Sequence, residues 1–283
     1  MKSILHPRSS IFDHPLVRAG SCIVALLTAG TLQGAPEPTA GASSDDETEI
    51  QQAARKMAQS VKLSTTVDGT VHELELVGPV LRYGDLPRAN DRGSVWIWQR
   101  GGRPQAIMEL YRGADGRSWA HVVHSLAVEV IHGEIGPGGP AWNPPAAAIK
   151  WSTFPEAPAP SDRPAVRARQ IKELAQRFTA HEFWDPNNSR YELRLLVQPV
   201  YKYGDSRSDV ADGAAFLLCH ETNPEVVLLI EAAQESDRGA AYRYALARLG
   251  HAELHVAFDE KEVWKQSRVA NPTARDAYFL VLK

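Results

Sequence analysis

The sequence predicts an α+β fold made twice over: two tandem repeats, each an N-terminal helix laid on a mainly antiparallel sheet or barrel-like meander. Three observations predict it. Pro79-Val80-Leu81-Arg82-Tyr83-Gly84-Asp85 returns as Pro199-Val200-Tyr201-Lys202-Tyr203-Gly204-Asp205, an offset of 120 that holds without a gap over about 35 positions. Each copy opens on apolar residues at helical spacing, and each continues as runs of branched and aromatic residues punctuated by Gly and Pro.

Taken in chain order, residues 1–34 read as an export signal. Lys2, Arg8 and Arg18 precede the apolar stretch Ala19–Gly30, which is too short to cross a bilayer, and cutting after Gly34 leaves Ala35 at the new terminus. An uncleaved anchor or a plain N-terminal extension is the alternative, because Asp13 and prolines interrupt the charged region. Removal of this segment takes the net charge from -3 to -5. Residues 35–49, rich in Pro, Ala, Ser and acid, read as a disordered tether. Repeat domain 1 spans 50–154 and repeat domain 2 spans 164–283, joined by the Pro-rich connector 155–163.

The stripe Ile50, Ala53, Met57, Ala58, Val61 predicts the first helix, capped by Asp45 or Asp46. Ile171, Leu174, Ala175 and Phe178 predict the second, capped by Ser161. Residues 71–83 predict strand, and then hairpins with five-residue loops: 93–99 with 105–111, and 213–219 with 225–231. The pattern leaves 119–131 and 242–258 open between helix and strand, and apolar strands at 149–154 and 277–282 close the copies. Sequence-related halves on a short, stiff link are expected to meet through equivalent surfaces as an intramolecular pseudo-dimer.

Composition excludes several classes. A net charge of -3 offers no basic field for a phosphate backbone, so no nucleic-acid partner is expected, and after signal cleavage no stable membrane span is expected either. Cys22 and Cys219 cannot build a disulfide framework or a four-thiolate zinc site, and nucleophile, phosphate-loop, dinucleotide and HExxH motifs are missing, so no cofactor is expected.

Comparing one copy with the other sorts the remaining candidates. Tyr83-Gly84-Asp85 and Tyr203-Gly204-Asp205 read as turn chemistry. Trp96 and Trp98, which with Tyr111 and Trp119 could make a stacking platform, are matched by Phe216 and Leu218, a swap that core filling permits. Arg82, Arg88, Arg92, Arg100, Arg103, Arg112 and Arg117 make repeat 1 Arg-rich, with interleaved acids. His121, His124 and Glu129 are the candidate ligand-binding residues, since Tyr244 and Ala247 stand opposite the two histidines in repeat 2. On a helix the two rings share a face and could ligate a metal with Glu129; on a strand they point to opposite faces and the site collapses, and Val122-Val123 with the later Val128, Val130 and Ile131 argue for strand. No metal site is assigned. Cys219 reads as a core hydrophobe and Asn187-Asn188-Ser189 as a turn.

The segment His181 to Leu196 (HEFWDPNNSRYELRLL), with Gln198-Pro199-Val200-Tyr201-Lys202-Tyr203, Asp212-Gly213-Ala214 and Asn223 to Glu231, resembles an uncharacterised family of predicted exported proteins from planctomycete-type bacteria. The likeness covers most of residues 50–265. It implies export and supplies no catalytic residue. The expectation is thus an exported, non-enzymatic binding or interaction module; the alternative is a hydrolase or metal-dependent enzyme with one site near His121.

Overall fold

The computed structural model describes residues 44–85, 90–113, 115–184, 187–205, 209–235 and 239–283. They fall within one compact unit, 43–283. The export signal and the first part of the tether, as well as Arg88 and the Asp185-Pro186 pair, lie outside the described residues. The first half runs α1 (Ser44–Ser60), β1 (Lys62–Val67), β2 (Thr70–Glu73), β3 (Glu75–Asp85), β4 (Asn90–Arg100), β5 (Arg103–Arg112), β6 (Trp119–Ser125), β7 (Ile131–Glu134), β8 (Ala141–Trp142) and β9 (Ser152–Thr153). The second runs α2 (Pro164–Ala175), β10 (Phe178–Trp184), β11 (Ser189–Leu195), β12 (Tyr201–Tyr203), β13 (Val210–His220), β14 (Asn223–Glu235), β15 (Gly239–Arg248), β16 (Glu253–Phe258), β17 (Lys261–Gln266) and β18 (Tyr278–Leu282).

Every strand pair is antiparallel. A small sheet has the order β2-β1-β7-β8, a five-stranded sheet β18-β6-β5-β4-β3, and a nine-stranded sheet β17-β16-β10-β11-β13-β14-β15-β9 with β12 also paired to β13. The last strand of each half leaves its own half. β9 pairs with β15 through Ser152–Tyr244 and Thr153–Arg243, and β18 pairs with β6 from Tyr278–His124 to Leu282–Ala120.

Strand alternation divides the interior into layers. Trp96, Trp98, Met108 and Leu110 on one face of β4 and β5 pack with Ala54, Ala58 and Val61 of α1 and its following residue. Phe216, Leu218, Leu228 and Ile230 pack in the same way with Ile171, Leu174 and Ala175 of α2. The opposite faces meet each other: Val95, Ile97 and Ile107 share a core with Leu217, Cys219, Val227, Leu229, Ala245 and Ala247. Two sheets therefore lie face to face, each with a helix on its outer side. Cys219 is a buried core thiol, and burial raises its pKa.

Several local expectations need correction. The hairpin loops hold two residues, Gly101-Gly102 and Glu221-Thr222, because Pro104 and Pro224 sit inside β5 and β14 opposite register shifts at Trp98/Gln99 and Leu218/Cys219. A bulge removes the need for the proline's absent N–H, which the pattern of residues alone does not reveal. Helix α2 is capped by Arg163 without a side-chain bond and carries Pro164 in its first turn; Ser161 Oγ instead accepts the Arg163 N–H at 3.2 Å. Phe178 belongs to β10 rather than to the helical stripe. Helix α1 begins at Ser44, inside the stretch read as tether, which places Asp45 and Asp46 within its first turn.

Candidate functional site

The segment 119–125 is strand β6, and its pairing separates the two histidines. His121 lies opposite Leu110 and Val281, on the side of the α1 core, whereas His124 lies opposite Ile107 and Tyr278, on the side facing the other sheet. His121 is 2% exposed and His124 6%. Burial drives both imidazoles down to about 4, helped by the Lys283 charge at His121 and the Arg248 charge at His124. His124 Nδ1 lies 2.7 Å from the Ser125 carbonyl oxygen. Glu129 sits beyond β6 and meets the Arg100 guanidinium at 3.5 Å. The three residues do not converge, and among the described residues no group of three or more His, Cys, Asp or Glu is arranged to hold a metal ion.

A different set of residues does converge. Between α1 and the outer face of the five-stranded sheet lies a cavity of about 330 Å³, walled by Ile50, Gln51 and Ala54 from the helix and by Tyr83, Leu110, Trp96 and Trp119 from the strands. Pockets of this size hold small organic molecules. Arg82, Arg92 and Ser94 supply its polar lining together with Gln51, and no Asp or Glu contributes among the described residues. Trp96 Nε1 donates to Ser94 Oγ at 2.9 Å, which occupies an acceptor lone pair and leaves the hydroxyl proton available. Neither arginine has an ion-pair or hydrogen-bond partner among the described residues. Tyr83 closes the floor. Its ring covers Gly93, where a Cβ would come within 2.2 Å of the ring, and its hydroxyl donates to the buried Glu109 carboxylate. Burial, reinforced by the Glu109 charge, raises the Tyr83 pKa well above the ordinary phenol value, so the donor keeps its proton.

A second cavity, about 400 Å³, lies between α2 and the outer face of its sheet, with Pro199, Lys202, Gly213 and Phe216 in its wall. Its charges are mixed. Glu173 and Asp212 line it together with Arg169, Lys172 and Lys202, and Arg167 binds Asp212 directly. Tyr203 here covers Gly213 as Tyr83 covers Gly93.

The junction between the sheets carries buried polar groups of another kind. Glu231 accepts Arg103 Nε at 2.8 Å, Arg243 Nη2 at 2.8 Å and Tyr203 Oη at 3.2 Å, and both guanidiniums stack on Trp151 at 5.2 and 4.8 Å. This network satisfies a fully buried carboxylate and ties the two sheets together. A separate cavity of about 130 Å³, lined by Glu109, Glu225 and Tyr278, is too small for most organic ligands.

No family model, curated protein or solved structure matches the chain. The site is consequently read from its own residues. Arg82, Arg92, Trp96 and Trp119 had each drawn notice in the sequence, but the helix that brings them to one cavity docks through tertiary packing. No helix among the described residues is long and apolar enough to cross a membrane.

Proposed function

We propose that this chain is an exported, non-catalytic binding protein made by internal duplication, in which each half carries a pocket for a small organic ligand between its helix and the outer face of its sheet. One observation carries the reading: the two cavities are lined at matched positions, Pro79 with Pro199, Arg82 with Lys202, Gly93 with Gly213 and Trp96 with Phe216, all at the offset of 120. Chance pockets do not fall on equivalent residues. The duplication draws support from the like strand orders β2-β1-β7-β8 and β11-β10-β16-β17, and from the reciprocal placement of β9 and β18. Export and kinship with planctomycete-type exported proteins belong to the same proposal, resting on residues 1–34 and on the 181–231 motifs.

The test is a thermal-shift screen of small organic compounds against the full chain and two plugged variants. Gln51→Trp fills the first cavity and Ala168→Trp the second, at positions related by the helix offset of 117. Binding compounds are expected to lose their effect in one variant or the other while both variants keep the parent melting temperature within about 2 °C. Hits indifferent to both plugs, or no hits, contradict the reading.

A further inference from the structure

The two cavities differ in charge, and the difference specifies a ligand. We infer that the cavity of the first half, taken as the binding site proposed above, receives a small planar organic anion: an apolar ring bearing one carboxylate or comparable acid group.

Asp212 in the second half is neutralised by Arg167 on α2. The residues at the same places in the first half are Arg92 and Ile50, so the acid has become a base and its helix partner has become apolar. Arg92 is thus left lining the cavity with no partner among the described residues, beside Arg82, which likewise has none among them. Position 214 is Ala, but its counterpart Ser94 brings a hydroxyl whose acceptor side is already used by Trp96 Nε1–H, so that it can serve an anion as donor. Two cations and one hydroxyl donor therefore border a cavity to which no acid among the described residues contributes, and a carboxylate there gains charge-assisted bonds that a neutral group cannot form.

The rest of the lining sets the shape of the ligand's body. Trp96, Trp119 and Leu110 present apolar and aromatic walls, and both tryptophans are buried. A flat ring slots between such walls, and about 330 Å³ accommodates a one- or two-ring molecule.

Naphthoate and its neutral amide, naphthamide, are the probes, titrated into the full-length protein by calorimetry. Naphthoate is expected to bind at least about tenfold more tightly than naphthamide, to weaken about tenfold in Arg92→Asp and in the milder Arg82→Gln, to weaken with added salt, and to be lost in Gln51→Trp but retained in Ala168→Trp. Equal binding of the two probes, both lost in Gln51→Trp, overturns the anion inference and leaves the pocket standing. Binding of neither probe, or binding untouched by Gln51→Trp, overturns the inference together with the reading beneath it. Arg82→Gln lies at an exposed position and covers the case in which Arg92→Asp fails to fold.

Discussion

His121 and His124 sit three residues apart on one strand and face different cores, which turns a candidate metal pair into two separate buried bases. Each has a folded-state pKa of about 4 against an ordinary value of 6.5. A base whose pKa is depressed on folding leaves the unfolded chain holding more protons between those values, so its stability contribution is whole above pH 6.5 and is lost as pH falls toward 4. The expected cost is on the order of 2 kcal/mol per histidine. Urea unfolding between pH 7 and 5 should show a slope that shallows clearly in His124→Asn, the asparagine retaining a donor near the Ser125 carbonyl; an unchanged slope contradicts the assignment. The strand was legible in Val122-Val123 and in the later Val128, Val130 and Ile131, whereas period gave no signal, because a stretch buried on both faces loses its alternation.

At the scale of elements, the cross-strand pair Tyr83–Gly93 and its counterpart Tyr203–Gly213 explain why a tyrosine on one strand recurs with a glycine on the next in both halves. Gly93 and Gly213 are needed not for their own dihedral angles but because the tyrosine ring occupies the space of a Cβ. Gly93→Ala forces that ring off its floor and away from Glu109. It is expected to destabilise the fold by about 3 kcal/mol in denaturant melts. Gly101→Ala, at a turn with open space, involves no such displacement and costs only the strain of its positive φ. Equal effects for the two substitutions would contradict the packing argument. Helix stripes, hairpins and the closing strand Tyr278–Leu282 were readable from period and turn residues, whereas of the strand expected over 149–154 only Ser152–Thr153 forms. Loop length was not, since Pro104 and Pro224 look like loop residues until the bulges beside them are known. The pocket was readable only in part: the Arg92-for-Asp212 exchange is visible in the sequence, whereas the docking of α1 over Trp96 and Trp119 is a product of packing.

At the scale of the whole molecule, the two halves of the chain complete each other. The face of β4 and β5 bearing Val95, Ile97 and Ile107 finds cover only on the other sheet, and the edge of β6 is filled by β18 from the far end of the chain. Sequence alternation dictates which residues share a face but carries no information on which sheet edge a closing strand will take, so this exchange was not legible beforehand. The most direct measurement is to express residues 44–160 and 161–283 as separate polypeptides and follow their association by analytical ultracentrifugation and circular dichroism. The account predicts that neither is a stable folded monomer and that mixing yields a 1:1 complex with the spectrum of the parent chain. Two independently folded, monomeric halves that ignore each other would contradict it.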